Sequence, residues 1–314
     1  MGSVVAAIDC GSNSTRLSIV DAARGALCRE MRITRLSEGV DASGALGEAG
    51  LARTFEVLEE FARLLQEHDV ERGLLVATSA VRDASNAPVF FDGARSRTGL
   101  EVRILSGAQE AALSFAGATG DLDLAGEPVL MVDIGGGSTE LAVMFDGELQ
   151  SFSMQLGCVR VSERALGAGV VTSAAATRAR AMIVAELDRA FHARPAFSSL
   201  VGRVRMVGLA GTVSTLAQMD AGLSDYDRDA MHHRCLTRAT VAYWRDRLAS
   251  ESPEQRMTHP GMVRGREDVL AAGLYVLDEI MDRFGVDELL SSESDILDGI
   301  TASLLDGRAS RSDS

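Results

Sequence analysis

Apolar and polar residues follow two kinds of pattern along this chain, and each kind predicts a different element. Apolar residues at spacings of three and four predict amphipathic helices at 51–65, 106–116, 178–191, 212–219, 269–284 and 296–305. Short apolar runs bounded by turn residues predict strands at 4–8, 17–20, 73–77, 101–105, 129–132, 141–145, 203–209 and 288–290. Strands that alternate with helices after an initial hairpin are typical of α/β domains with mixed sheets.

A ten-residue segment near the start of the chain returns in its second half. Residues 8–17, Ile-Asp-Cys-Gly-Ser-Asn-Ser-Thr-Arg-Leu, align with residues 132–141, Val-Asp-Ile-Gly-Gly-Gly-Ser-Thr-Glu-Leu. Each copy follows an apolar run and precedes a second strand-like run, a turn and a third extended segment. Two copies so far apart predict a duplicated domain rather than a solenoid.

The repeat and an acidic, turn-prone segment at 120–128 set the predicted domain boundary. We expect an N-terminal domain at 1–124 and a C-terminal domain at 125–314. Whether the last helix, at 296–308, joins the N-terminal domain stays open. A chain of 314 residues is long enough for two such domains.

Charge and composition exclude several classes of function. The formal net charge is −14, so we expect no binding to nucleic acid or to an anionic membrane surface. All 31 basic residues are Arg, which excludes the P-loop, Schiff-base chemistry and a lysine-assisted kinase mechanism. The four Cys are far apart in sequence, so neither a disulfide framework nor a structural zinc site is expected.

No apolar stretch approaches the about 18 residues of a membrane span, and the N-terminus lacks a signal-peptide pattern. The expected compartment is the cytoplasm.

The two repeated loops have the composition of phosphate-binding turns. Glycines and small hydroxyl residues allow consecutive backbone N–H groups to point into one concavity, and the hydroxyls add donors. The Asp that leads each loop, Asp9 or Asp133, is able to hold Mg²⁺ directly or through water. One such loop is also compatible with an ordinary hairpin turn, but two in register favour phosphate binding. The predicted phosphate-binding loop residues are Gly11, Ser12, Asn13, Ser14, Gly135, Gly136, Gly137, Ser138 and Thr139.

Five segments together resemble one family: Asp-Ile-Gly-Gly-Gly-Ser-Thr-Glu-Leu at 133–141, and the segments at 77–86, 104–111, 208–212 and 292–299. The chain is similar to the exopolyphosphatase/guanosine pentaphosphate phosphohydrolase (Ppx/GppA) phosphatase family, within the actin-like ATPase/sugar-kinase superfamily. The resemblance spans nearly the whole chain, in the short two-domain form. It implies an α/β fold of two duplicated actin-like (ribonuclease H-like) domains with mixed sheets, and an active site in an interdomain cleft.

Residue roles follow from the resemblance position by position. Glu110 matches the catalytic Glu that positions or deprotonates the attacking water, and Arg82 matches an Arg near the phosphates. Asp133 and Glu140 are the expected Mg²⁺ ligands, with Asp9 as a further candidate and Mn²⁺ as an alternative ion. Arg16 stands where the second repeat has Glu140, so the first loop is better suited to phosphate and the second to metal.

Several of these residues also have a purely structural interpretation. Family members often carry a second acid before the catalytic Glu, where this chain has Gln109. Arg16 and Arg82 are also compatible with surface positions. Asn86 is a candidate donor to phosphate and is equally compatible with an N-cap or a turn. The segment 208–212 is compatible with a plain strand-to-helix turn. The pair His232 and His233 looks like a metal site, but adjacent residues do not share a helix face, so a structural role is favoured.

The predicted function is a Mg²⁺-dependent exopolyphosphatase that hydrolyses the terminal phosphoanhydride of inorganic polyphosphate, favours short chains and releases orthophosphate. The alternative within the same chemistry is a guanosine pentaphosphate 5′-phosphohydrolase. An alarmone-binding sensor and an actin-like-fold kinase are further alternatives. A homodimer is expected, although no residue pattern demonstrates it.

Overall fold

The computed structural model describes residues 3–124 and 126–307. These residues divide into two compact units, Met1–Gly117 with Asp295–Ser314, and Ala118–Ser294. Among the described residues, no helix combines the length and the apolarity that a membrane span needs.

The first unit is built on a five-stranded mixed sheet in the order β3-β2-β1-β4-β5. Its strands are β1 Val4–Cys10, β2 Ser14–Asp21, β3 Gly25–Ile33, β4 Arg72–Ala77 and β5 Glu101–Ile104. Its helices are α1 Val40–Ser43, α2 Glu48–Glu67, α3 Ser79–Arg82, α4 Ala87–Thr98, α5 Gly107–Thr119 and, from the end of the chain, α14 Ile296–Leu305. β1 pairs antiparallel with β2 and parallel with β4, so the hairpin and the crossover strands share one sheet.

The alternation of side chains along β1 separates two apolar layers and one functional position. Val4, Ala6, Ile8 and Cys10 join the core beneath α2 and α4. Val5 and Ala7 join a second cluster with the apolar residues of α14. Because side chains alternate between the faces of a strand, Asp9 lies on the same face as Val5 and Ala7, the face that α14 covers.

The packing of α14 shows to which of the two units this last helix belongs. Ile296, Leu297, Ile300 and Leu304 are buried against β1 and β4, so this helix belongs to the first unit. Conversely, Asp121 and Asp123 bond to residues of the second unit, through His232 and Arg205. The unit boundaries therefore lie at 117/118 and 294/295, whereas the sequence placed one boundary at 124/125. Residue 125, and residue 308 of the predicted last helix, lie outside the described residues.

The second unit is built on a six-stranded mixed sheet in the order β10-β11-β9-β6-β7-β8. Its strands are β6 Val129–Ile134, β7 Thr139–Phe145, β8 Glu148–Met154, β9 Arg205–Leu209, β10 Cys235–Thr237 and β11 Glu288–Ser291. Its helices are α6 Cys158–Val161, a π-helix Ser162–Leu166, α7 Ser173–Ala193, α8 Ala196–Ser199, α9 Ala210–Asp220, α10 Arg228–Met231, α11 Arg238–Ala249, α12 Pro253–Arg256 and α13 Leu270–Phe284.

The predicted duplication is confirmed by sheet order. β6, β7, β8, β9 and β11 pair with the same neighbours and in the same directions as β1 to β5, and β10 is an addition at the edge. The predicted class, two duplicated α/β domains with mixed sheets, is therefore confirmed. The predicted helices and strands are all present, with ends that differ by a few residues. The apolar pattern missed the helices α4 and α11, the strand β10, and the short helical segments α1, α3, α6, α8, α10, α12 and Ser162–Leu166.

Candidate active site

The two repeated loops form the same turn. In the first unit, the Gly11 N–H donates to the Ser14 carbonyl at 3.0 Å, and in the second unit the Gly135 N–H donates to the Ser138 carbonyl at 3.1 Å. A Cβ added at either glycine would lie 3.2 Å from that carbonyl oxygen. Glycine at the first position thus lets each hairpin close tightly after its leading Asp.

Each turn has its carbonyl groups bound from one side. The Asn13 carbonyl accepts from the N–H groups of Thr34 and Arg35, and the Ser12 carbonyl accepts from Ser37. In the second unit, the Gly135 carbonyl accepts from Cys158 and the Gly136 carbonyl accepts from Val159 and Arg160.

The N–H groups of the same turns are available to a ligand. Across 3–124 and 126–307, no acceptor is found for the N–H groups of Ser12, Asn13, Gly136 and Gly137. The buried Asn13 Nδ2 and Thr139 Oγ1 likewise have no hydrogen-bond partner within the described ranges. Because unpaired buried donors are costly, each turn is well suited to an anion that accepts several hydrogen bonds.

The two turns differ in the side chains opposite their leading Asp. Asp9 pairs across the ladder with Arg16, whose Nη2 lies 2.6 Å from Asp9 Oδ2. Asp133 pairs across the corresponding ladder with Glu140, which is fully buried and accepts from Ser153 Oγ at 2.6 Å. Like charges directly opposite on two strands repel each other. A hard divalent cation bound by both carboxylates would relieve that repulsion, so this pair suits Mg²⁺.

Asp9 keeps one carboxylate oxygen unused. Oδ2 accepts from Arg16, while the buried Oδ1 has no hydrogen-bond partner among the residues described. Burial raises the pKa of Asp9 above its ordinary value, although the charge of Arg16 opposes this shift. An oxygen in this position fits a metal ion, a metal-bound water or a proton donor.

Glu110 and Arg82 are brought together in the first unit. Glu110 lies in the first turn of α5, near the positive end of the helix dipole, and is 8% exposed. Arg82 ends α3, and its Nη1 lies 3.3 Å from Glu110 Oε2 and donates to the Leu105 carbonyl at 2.7 Å. Its Nη2 is buried and has no hydrogen-bond partner in the described part of the chain. Arg82 is therefore half-buried and bound to the start of α5.

The departure at Gln109 has a local structural explanation. Gln109 Oε1 accepts from the Ser106 N–H at 2.9 Å, and Ser106 Oγ accepts from the Gln109 N–H at 3.3 Å. These reciprocal bonds form a capping box, which Gln and Glu serve equally well. The side chain of Gln109 therefore fixes the start of α5, the helix that carries Glu110.

Two other sequence candidates are structural. Asn86 bonds the backbone of Leu46 with both ends of its amide, at 2.8 and 3.0 Å, which gives it a structural role. His232 Nδ1 accepts from the Glu293 N–H at 3.1 Å, so a neutral ring carries its proton on Nε2, which lies 2.8 Å from Asp121 Oδ2. His233 Nε2 lies 3.7 Å from the other Asp121 oxygen. A metal ion on His232 Nε2 would have to displace that proton. We therefore interpret Asp121, His232 and His233 as a hydrogen-bonded structural cluster rather than a metal site.

The segment 208–212 is the strand-to-helix turn from β9 to α9, and Arg266 covers it. A Cβ at Gly211 would overlap the guanidinium of Arg266, which is 8% exposed. Thr212 Oγ1 lies 3.5 Å from the Ile134 carbonyl behind the second loop. Burial raises the pKa of the nearby Cys158 thiol, and burial likewise raises the pKa of Cys10, so neither acts as a thiolate nucleophile.

Three charged residues near the predicted site residues were not predicted from the sequence. Arg29 and Asp295 flank Arg16 in the first unit, and Arg266 covers Gly211 in the second. For Arg29, the one indication was the alternation of side chains along β3. Arg29 pairs with Ser18 of β2, and Ser18 lies on the same face of the sheet as Arg16. Arg266 lies between α12 and α13, where no periodic pattern exists.

Comparison with known proteins identifies the family of this chain. A model of the Ppx/GppA phosphatase family matches residues 17–307. The chain is 41% identical to a Mycobacterium tuberculosis protein named exopolyphosphatase 2, over 96% of this chain and 98% of that one. A solved exopolyphosphatase-like protein has a TM-score of 0.91 at 31% identity, covering 97% of this chain and 99% of that one. A solved Ppx/GppA family member from Aquifex aeolicus has a TM-score of 0.78 at 27% identity, covering 99% of each chain. This chain belongs to the Ppx/GppA phosphatase family.

Proposed function

We propose that this protein is a Mg²⁺-dependent exopolyphosphatase, which hydrolyses the terminal phosphoanhydride of inorganic polyphosphate and releases orthophosphate. The observation that carries the proposal is the pair of matched turns with unequal partners. Both turns present N–H groups to an anion, whereas one leading Asp faces Arg16 and the other faces Glu140. The name of the 41% identical relative favours polyphosphate as the substrate.

The residues that would bind Mg²⁺ are Asp133 and Glu140, with Asp9 as an additional ligand or a water-binding group. Carboxylate oxygens are the ligands that Mg²⁺ prefers, and the Ser153 hydroxyl holds Glu140 in place. When bound, the ion neutralises phosphate charge and withdraws electron density from the scissile bond. Mn²⁺ is the alternative ion for the same ligands.

The remaining work belongs to side chains of the first unit. Glu110 orients the attacking water and accepts its proton as the oxygen attacks the terminal phosphorus. Arg82 and Arg16 counter the charge of the phosphoryl oxygens, and the turn N–H groups hold the neighbouring phosphates. The bond to the bridging oxygen breaks, and the shortened polyphosphate leaves with that oxygen.

The test measures orthophosphate release from short polyphosphate, long polyphosphate and guanosine pentaphosphate, with Mg²⁺, with Mn²⁺ and with a chelator. We expect release from polyphosphate with a divalent ion, faster on short chains, and none with the chelator. Release from guanosine pentaphosphate alone would instead support the alarmone phosphohydrolase. Binding of either substrate without release would support a sensor, and transfer of phosphate to an added hydroxyl compound would support a kinase.

The proposal also covers the binding partners, the oligomeric state and the cellular compartment. The net charge of −14 supports the absence of binding to nucleic acid and anionic membranes, which a gel-shift and a vesicle sedimentation experiment test. A homodimer in the cytoplasm is part of the proposal, and light scattering of the purified protein gives its mass in solution.

A further inference from the structure

Asp295 is buried and lies at the centre of a partly buried chain of charges in the first unit. Its Oδ2 accepts from Arg16 Nη1 at 2.5 Å and lies 3.1 Å from Arg29 Nη2. Arg16 in turn binds Asp9 through Nε and Nη2. Arg29 extends the chain to Asp298, with its Nη1 at 3.1 Å from the Asp298 carboxylate. The guanidinium of Arg16 is thus bound on two sides.

Asp295 is itself held from three directions. Its Oδ1 accepts from the Leu297 N–H at 2.9 Å, as the N-cap of α14. Its N–H donates to Asp298 Oδ2 at 2.8 Å, which completes a capping box. Its carbonyl lies so close to α5 that a Cβ at Gly117 would fall 1.8 Å from the carbonyl oxygen. α5 is the helix whose first turn carries Glu110, so Asp295 is anchored to the same element.

The charges of this chain favour a fixed ion pair. Burial acts to raise the pKa of Asp295, but Arg16 and Arg29 outweigh it and hold that pKa below the ordinary value. The neighbouring carboxylates likewise hold the pKa of Arg29 above its ordinary value, against burial. The opposite charges of Asp295 and Arg29 therefore stabilise each other.

From this arrangement we propose that Asp295 is a positioning residue for phosphoryl transfer, which fixes the Arg16 guanidinium against Asp9. The inference rests on the proposed function, in which Arg16 binds phosphate. A long Arg side chain has considerable rotamer freedom, and an Arg bound only by Asp9 would retain part of it. With Asp295 in place, Arg16 meets each phosphate in one geometry, and Asp9 Oδ1 is left for its own ligand.

The sign of the effect separates positioning from simple charge. Asp295→Asn keeps the size and the N-cap function of the residue but removes a negative charge beside Arg16. If Asp295 acted only as a charge, this removal would tighten the binding of a polyanion and lower KM. If Asp295 positions Arg16, kcat/KM for polyphosphate falls by about ten- to a hundred-fold, mostly through KM.

The experiment compares the full-length wild type with Asp295→Asn, Arg16→Gln and the double variant, in steady-state phosphate release. We expect Asp295→Asn to have little further effect once Arg16 is replaced, because it acts through that residue. Asp298→Asn is the matched control, since it lies at the same helix start and pairs with Arg29 but not with Arg16. We expect its kcat/KM to stay within about twofold of wild type, and thermal melting to report the folding of each variant.

Three outcomes would overturn the positioning role: an Asp295→Asn variant with unchanged kcat/KM, one with a lower KM and unchanged kcat, or full additivity with Arg16→Gln. A misfolded Asp295→Asn variant would be replaced by Asp295→Ser, which also caps a helix. A wild type that releases no phosphate from any polyphosphate would refute the proposed function itself, a result that is distinct from the other three.

Discussion

Single residues distinguish the two halves of a duplicated fold. Asp9 and Asp133 occupy the same place near the end of equivalent strands, but Arg16 neutralises the first and Glu140 adds charge beside the second. The difference at this one equivalent position gives the first turn an internal Asp–Arg ion pair and the second turn two carboxylates on facing residues. Glu110 and Arg82 form the third charged group, at the start of α5.

The role of Glu110 is tested by Glu110→Gln, which keeps the size and removes the base. We expect kcat for polyphosphate to fall by about 10²- to 10⁴-fold, the usual contribution of a general base, with KM changed little. Stopped phosphate-release assays measure both constants. Glu101→Gln, on the exposed edge of β5, is the control and should behave as wild type. A Glu110→Gln variant with normal turnover would remove Glu110 from the chemistry.

The metal-binding role of the second turn is tested by Asp133→Asn. Replacing one of two anionic ligands should raise the Mg²⁺ concentration for half-maximal activity by about ten- to a hundred-fold, the size of effect seen for groups around a bound metal. Titration of activity with Mg²⁺ measures it. Asp146→Asn, in the exposed turn between β7 and β8, is the control. An unchanged Mg²⁺ requirement in Asp133→Asn would place the ion elsewhere.

At the scale of elements, close backbone contacts hold the turns. The segment that follows the third strand of each hairpin returns to bind the carbonyls of the turn, through Thr34–Ser37 in one unit and Cys158–Arg160 in the other. Gly157 allows this in the second unit, because a Cβ there would lie 2.5 Å from the carbonyl oxygens of Gly135 and Gly136. The start of α6 therefore shapes the turn that lies in front of it.

Gly157→Ala tests this contact. The backbone at Gly157 is extended, so the added methyl group acts by overlap alone and should destabilise the protein by about 1–3 kcal/mol. We also expect a lower kcat/KM, since the overlap moves the turn. Gly169→Ala is the control, because a Cβ there meets nothing within 4 Å. Chemical denaturation measures both variants, and equal stabilities would contradict the contact.

Arg256 joins several loops of the second unit. The residue is 1% exposed, and its guanidinium donates to the carbonyls of Leu248, Ala168, Glu267 and Gly169 at 2.7–2.9 Å. Arg256→Met would leave these acceptors without donors and should destabilise the protein, since each buried polar group left unsatisfied costs about 1–3 kcal/mol. Arg256→Lys should rescue little, since an ammonium cannot reproduce the planar fork. Arg189→Met, at an exposed position, is the control in thermal melting. A stable Arg256→Met variant would show that water replaces the guanidinium.

At the scale of the whole molecule, a net charge of −14 opposes a polyanionic substrate. Local groups, the Arg side chains and turn N–H donors, must therefore supply the attraction. The repulsion acts over long range and is screened first, since the Debye length falls to about 10 Å at 0.1 M salt. The buried pairs at the site are screened much less.

The salt dependence of KM follows from this balance. Between about 0.02 and 0.15 M monovalent salt, we expect KM for polyphosphate to stay level or fall, in contrast to the steep loss of affinity typical of basic polyanion-binding proteins. Initial rates at a fixed free Mg²⁺ concentration measure it, with a neutral osmolyte as the control for viscosity and water activity. A steep rise in KM with salt would indicate a large basic surface that the net charge does not suggest.

The sequence by itself determined what local patterns encode. Strand alternation, helical periodicity and the internal repeat predicted the duplicated α/β fold, because burial on one face of an element leaves a period that a single sequence displays. The repeat also predicted the two turns and the contrast between Arg16 and Glu140. Only the tertiary structure decided what depends on distant contacts. It placed α14 in the first unit and set Asp295 against Arg16, 279 residues apart in sequence. In the folded structure, the side chains of Asn86 and Gln109 bond to backbone groups, and Arg266 packs over Gly211. These choices follow from packing between elements, which a local pattern does not record.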